Sequence, residues 1–238
     1  MSTRHGGVSQ GPWASLNLGG ACGDVLADVA VNRQRFASAL GARPVWLRQV
    51  HGTNVVQLDG ASPGADLLPA DAAWTATPGI ACTVLVADCL PVLLAARDGS
   101  AVAAAHAGWR GLAAGVLEAT VQALQQGAGV APRDLMAWLG PCIGPQAFEV
   151  GADVLAGFGV LPETADPDVF LYRPRADGTP RWRAHLPALA SARLQAAGVP
   201  EGAIHACGHC TFSAPSDLFS FRRDGVTGRL AAAIWRRG

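Results

Sequence analysis

Residues 80–106 read IACTVLVADCLPVLLAARDGSAVAAAH, and the first part, Ile80 to Ala96, is the most apolar stretch of the chain. A carboxylate at Asp88 and a proline at Pro91 break it, so it cannot run as one membrane helix. The Asp98-Gly99 pair between two apolar runs is a strong hairpin signal. The reading that remains is a set of buried strands folded back on themselves. A turn centred on Asp98-Gly99 pairs residues whose numbers sum to 197. Cys89 then stands opposite Gly108, and His106 lies two residues from that partner, on the same face. Diagonal neighbours of this kind are about 7–8 Å apart along the backbone. "ADC" and "HAGWRG" thus become one local site through the turn, unless Pro91 disturbs the pairing.

The rest of the chain reads as strands interspersed with helices, which predicts a mixed α+β domain spanning residues 1–238. "LADVAVNRQRFASALG" has helical periodicity and ends at Gly41. "PVWLRQV" alternates as a strand and runs into a second strand, "HGTNVVQL", after an irregularity at Gly52. "WRGLAAGVLEATVQALQQG" aligns Leu112, Val116, Thr120 and Leu124 on one helical face, with Gly127 as the stop. "DLMAWLGPCIG" reads as a strand entering a loop, and "HLPALASARLQAAGV" as a further helix. Residues 159–184 are expected to form a surface excursion. "FSFRRDGVTGRLAAAIWRR" is expected to be a strand, a turn and a closing strand or helix.

Of 238 residues, 50% are apolar and 15% charged, which excludes a disordered chain. Formal net charge is zero, so nothing favours a nucleic acid or an anionic membrane as partner. All 18 basic residues are arginine. That removes Schiff-base lysine and Walker A chemistry. The first ten residues lack the apolar core of a signal peptide, and six thinly spread cysteines suit reduced thiols or metal ligands. A cytoplasmic, monomeric protein is the expectation.

Cys89 and His106 make half of a zinc site. His51, in "RQVHG", is the natural third ligand, because its flanking strand can join the same sheet. Cys/His/His leaves a fourth position open, as in catalytic rather than structural zinc sites. Spacing alone leaves equally open that these are three unrelated buried polar residues.

"RQVHG", "ADCLPVLL", "HAGWRG", "GPCIGPQAFEV" and "FSFRRDGVTGR", with "GGVSQGPWASLNLGG" and "VAVNRQRF", together resemble the YfiH/laccase-domain family. The resemblance covers nearly the whole chain and departs from the pattern at Ser213-Ala214. Members of that family were called polyphenol oxidases and then purine nucleoside phosphorylases. The resemblance implies a layered α+β sandwich of mixed sheets flanked by helices. It implies catalytic zinc on His51, Cys89 and His106. It also implies purine nucleoside phosphorylase, methylthioadenosine phosphorylase and adenosine deaminase activities at one site, with purine nucleosides and phosphate as the partners.

Phosphorolysis needs an anion-binding residue near the metal. Arg48, three residues before His51, is the first choice, since a guanidinium fork matches phosphate; a plain ion pair with a carboxylate is its other reading. Arg110, Asp88, Trp109 and Cys142 are read as structural, while Asn17 in "SLNLG" is open between a hydrogen bond to substrate and turn duty. "CGHC", Cys207–Cys210, looks like a disulfide-oxidoreductase motif, but Pro215 and a non-helical sequence follow it. Two further functions compete. One is a hydrolase editing peptidoglycan precursors, with Cys89 as nucleophile. The other is a copper oxidase, disfavoured because Met1 and Met136 are the only methionines for an axial ligand.

Overall fold

The computed structural model describes residues 1–62 and 68–238. In chain order the elements are α1 (Leu26–Leu40), β1 (Arg43–Arg48), β2 (Val55–Gln57), β3 (Leu68–Pro69), β4 (Ala72–Thr75), β5 (Ile80–Val86), β6 (Leu90–Ala96) and β7 (Val102–Ala107). There follow α2 (Trp109–Ala114), α3 (Val116–Ala128), β8 (Leu135–Leu139), β9 (Glu149–Val150), α4 (Ala152–Gly157), β10 (Phe170–Tyr172) and β11 (Trp182–Ala184). The chain closes with α5 (Leu186–Ala196), β12 (Ile204–Ala206), α6 (Phe221–Asp224) and β13 (Leu230–Trp235).

Two mixed sheets carry the fold. A four-stranded sheet has the order β13-β5-β1-β3, and a six-stranded sheet the order β12-β8-β6-β7-β4-β2. They pack face to face over Val45, Leu47, Cys82, Val84, Ala104 and Ala232. Helices α2, α3 and α5 cover the outer face of the six-stranded sheet, where Leu112, Leu117, Leu124 and Leu194 meet Leu90, Val92 and Leu94. Helix α1 covers the other side through Phe36, which joins Trp46 and Leu18. The result is a layered α+β sandwich of mixed sheets flanked by helices. Strand β7 lies between two layers and is buried at every position. Its alanines keep it thin enough for both neighbours. Ala103, Ala105 and Ala107 meet the helices, while Ala104 faces the other sheet. Alternation therefore turns His106 toward the second sheet.

The β6–β7 hairpin keeps the register read from the turn: Leu90 pairs with Ala107 and Pro91 with His106. Pro91 does not disturb it. Other expectations need correction. The helix expected to run from Trp109 to Gly127 is two helices, broken at Gly115, whose φ is 101°. The second continues to Ala128 and stops at left-handed Gly129. Gly127 serves packing: a Cβ there would lie 2.1 Å from Trp74. "FSF" is not a strand, because Ser220 caps α6 by accepting from the Arg223 N–H at 3.3 Å. The 159–184 segment is more than a surface excursion. It supplies β10 and β11 to a three-stranded sheet with β9, and buries Phe170, Trp182 and Ala184. Strands β1 and β2 do not continue one another but belong to different sheets.

Candidate metal centre

Three times the chain crosses from the four-stranded to the six-stranded sheet; the crossing from β3 to β4 carries Asp71, and the other two meet beside it at one corner. One of these two runs from β1 through His51 to β2, the other from β5 through Asp88 and Cys89 to β6. His51 and Asp88 are the non-glycine residues with positive φ among those described, at 60° and 109°. Such backbone costs free energy for residues with a Cβ, so surrounding contacts must hold it.

Those contacts are specific. The buried carboxylate of Asp71, just before β4, accepts the backbone N–H groups of Val50, His51 and Gly52 at 3.1, 2.9 and 2.7 Å. Its Oδ1 also accepts from His106 Nδ1 at 2.8 Å. One carboxylate thus sets the His51 turn and fixes the His106 ring, leaving Nε2 of His106 free to act as a ligand. Gln49 extends the β1–β5 pairing through its side chain, accepting from Leu85 N–H at 2.7 Å and donating to Leu85 C=O at 2.8 Å. At the β5–β6 crossing, Asp88 accepts from Thr211 Oγ1 at 2.6 Å and from the Arg222 N–H at 2.7 Å. Its carboxylate is thereby committed to Thr211 and the start of α6, a structural role as read from the sequence.

His51, Cys89 and His106 converge, with one donor atom from each lying within 4.8 Å of the others. Cys89 Sγ is 4.0 Å from His51 Nε2, and the imidazoles meet edge to face with centroids 4.8 Å apart. Gly108 makes room for this approach: a Cβ there would stand 2.9 Å from Cys89 Sγ and 3.0 Å from His51 Cδ2. Burial pushes the Cys89 thiol up, but His106 and His51 outweigh it and bring the pKa down to about 6. Burial likewise opposes charge on His106, yet Cys89 and Asp71 raise it to about 9. A thiolate beside two oriented imidazoles is a zinc-type donor set. Zinc bonds of about 2.3 Å to sulfur and 2.0 Å to nitrogen hold tetrahedral S and N donors roughly 3.6 Å apart. The observed 4.0 Å therefore needs only a small adjustment.

The three side chains line a cleft of about 470 Å³. Leu47, Leu85, Val86 and Phe221 give it an apolar wall, and the Gly19–Cys22 loop forms one side. Arg48 is exposed and lines this cleft, as does Arg229. Arg110 lies outside the cleft lining and stacks on Trp109, 4.4 Å from the ring centroid. Trp109 packs on the core. Cys142 is buried, and Asn17 does turn duty, accepting from Gly19 and Arg229 N–H groups at 2.9 and 2.8 Å. No helix starts at Cys210, where the chain enters a turn. Asp71 and Arg229 escaped the reading of the sequence. Asp71 had one signal, a carboxylate alone within the apolar stretch "LLPADAAW".

The family model described as multi-copper polyphenol oxidoreductase laccase matches residues 1–237. The chain is 49% identical over 235 residues to the purine nucleoside phosphorylase PA4543 of Pseudomonas aeruginosa, covering 99% of this chain and 91% of that one. It is 46% identical over 236 residues to the purine nucleoside phosphorylase YfiH of Escherichia coli, covering 98% and 91%. Protein NMB0706 of Neisseria meningitidis, a solved structure, superposes with a TM-score of 0.87 at 44% identity, covering 99% and 92%. No helix among the described residues is long and apolar enough to cross a membrane. With its whole length matched in sequence and in fold, the chain belongs to the YfiH/laccase-like family.

Proposed function

We propose that the chain, acting as one domain in the cytoplasm and as a monomer, is a zinc-dependent purine nucleoside phosphorylase. Its substrates are inosine, adenosine and methylthioadenosine, and it deaminates adenosine at the same site. The observation behind this reading is the convergence of His51, Cys89 and His106 on a cleft that also presents Arg48. The names of the relatives give the reaction class. When bound, zinc supplies a Lewis acid that can polarise an oxygen or lower the pKa of a water molecule. The residues do the remaining work. His51, Cys89 and His106 hold the ion, and Asp71 keeps His106 in the tautomer that presents Nε2. Arg48 holds phosphate with its guanidinium fork while a phosphate oxygen attacks ribose C1′ and the bond to the purine breaks. The apolar wall excludes water from the base.

Zinc is favoured over copper, although the family description names copper. Met1 and Met136 are both exposed and neither lines the cleft, so no thioether stands ready as an axial ligand. One observation favours a second reading. In the metal-free protein the Cys89 thiolate lies 4.0 Å from the His51 imidazole, an arrangement suited to a nucleophile and base in a peptidoglycan-precursor amidase.

Chromatography of products from a nucleoside panel, with and without phosphate, separates the readings. Inosine cleavage is expected to require phosphate and to yield ribose 1-phosphate, while adenosine deamination proceeds without it. Loss of a charge-assisted contact is worth about 1.5–3 kcal/mol. Arg48→Ala should therefore depress phosphorolysis on the order of 10- to 100-fold more than deamination. Equal losses in both activities would remove the phosphate role from Arg48. Failure of ribose 1-phosphate to appear from any purine nucleoside would overturn the phosphorylase and promote the amidase.

A further inference from the structure

A second cleft, of about 670 Å³, lies beside the small three-stranded sheet, and its wall carries Arg175, Arg181, Arg183 and Arg222. Glu149 and Asp153 are the acidic residues in that wall. The sheet builds the arrangement. Arg183 on β11 pairs directly with Glu149 on β9. On β11 alternation turns Arg183 away from the buried Trp182 and Ala184, and Arg181, just before the strand, reaches the same Glu149 carboxylate. Glu149 meets Arg175 at 2.6 Å, Arg183 at 3.4 Å and Arg181 at 3.7 Å, and its carbonyl accepts from Arg222 Nη1 at 2.9 Å. Arg175 holds the Glu149 carboxyl below its usual range, so it stays charged. Even so, four guanidiniums face two carboxylates. Arg183 Nε is buried without a hydrogen-bond partner among the described residues. One arginine would satisfy Glu149. The others leave the cleft with more positive than negative charge, which a bound anion would offset.

We infer that this cleft binds a small phosphate-class anion, free phosphate or a phosphate monoester, at a site separate from the metal centre. Guanidinium forks reaching in from several sides suit a tetrahedral group with acceptor oxygens all round better than a planar carboxylate. The concave wall and the zero net charge of the chain favour a small ligand over a polyanion. Helix α6 stands between the two sites, with Phe221 lining the metal cleft and Arg222 the arginine cleft.

Calorimetric titration of the full chain with inorganic phosphate, and separately with glycerol phosphate, tests this without any nucleoside. An Arg48→Ala background removes the phosphate contact proposed at the metal cleft. One saturable site should remain in it, weakening as salt rises. Adding Arg175→Gln should weaken that site about tenfold or more. Arg175 is half-exposed, so its loss leaves the sheet standing. An Arg181→Gln, Arg183→Gln pair in the same background should do the same, with thermal unfolding as the check on folding. Tighter binding of glycerol phosphate than of phosphate identifies a monoester as the ligand, and the reverse identifies the free ion. Absence of saturable binding in Arg48→Ala, or Arg175→Gln titrating like its parent, would overturn the inference. Failure of the phosphorylase reading would leave these titrations unchanged.

Discussion

Cys89 and Cys142 sit on adjoining segments, joined where the Ile143 N–H donates to the Asp88 carbonyl at 2.9 Å, yet their thiols are driven in opposite directions. Burial raises both. At Cys89 the imidazoles of His106 and His51 overcome it and bring the pKa to about 6. At Cys142 burial is joined by repulsion from Cys207, Cys210, Cys89 and Asp88, all of which act in the same direction, and the thiol is held protonated. Burial alone therefore makes an inert cysteine, and burial beside imidazole makes a ligand. The "CGHC" motif advertises thiol chemistry more loudly than the isolated Cys89 does. The geometry places the stronger thiolate environment at Cys89.

The largest expected contrast is between substitutions at these two positions. Cys89→Ser should lose purine nucleoside cleavage by roughly a hundredfold or more while leaving the fold largely intact. Cys142→Ser should keep cleavage within a few-fold and lower stability by about 1–2 kcal/mol for burying a hydroxyl. Steady-state kinetics and denaturant unfolding of both variants check this. Comparable losses of activity in the two would erase the distinction.

Asp71→Asn sharpens the same contrast from one shell further out. An amide cannot accept from His106 and three backbone N–H groups as a carboxylate does, so His106 and the His51 turn both loosen. Metal affinity should fall about 10- to 100-fold, read by competition with a chromophoric chelator. Unchanged affinity would show that the ring is fixed by packing alone.

In the metal-free protein the contrast takes the form of a pH window. The His106 pKa is raised in the folded state, so its contribution to stability is full below about 6.5 and lost as pH rises through about 9. The Cys89 pKa is lowered from 9.0 to about 6, so its contribution is full above 9 and lost as pH falls through 6. The thiolate–imidazolium pair therefore stabilises the corner between about 6 and about 9. Iodoacetamide should label Cys89 with a rate that rises through pH 6 and leave Cys142 untouched. A Cys89 labelling profile rising only near pH 9 would contradict the imidazole effect.

Much of this corner was legible from the residues because the hairpin is local. Once Asp98-Gly99 is the turn, Cys89 and His106 must share a face. His51 arrives by a tertiary crossing between sheets, so spacing could not place it, and the family motifs supplied what geometry could not. Asp71 was missed because both of its tasks lie across the fold, on His106 and on the His51 turn. A lone carboxylate in an apolar run still signals a buried partner. The break at Gly115 was hidden because the apolar face continues through both helices. Gly127 looked like a stop because its real role, contact with Trp74, is visible only in the packed structure.

The central claim is that His51, Cys89 and His106 form one metal centre. Elemental analysis combined with X-ray absorption at the metal edge tests it most directly. The account predicts about one zinc per chain, with one sulfur and two imidazole nitrogens among its ligands, and loss of both metal and sulfur signal in Cys89→Ser. A Cys89→Ser protein that keeps its full metal content, or a wild-type spectrum with no sulfur ligand, would contradict it.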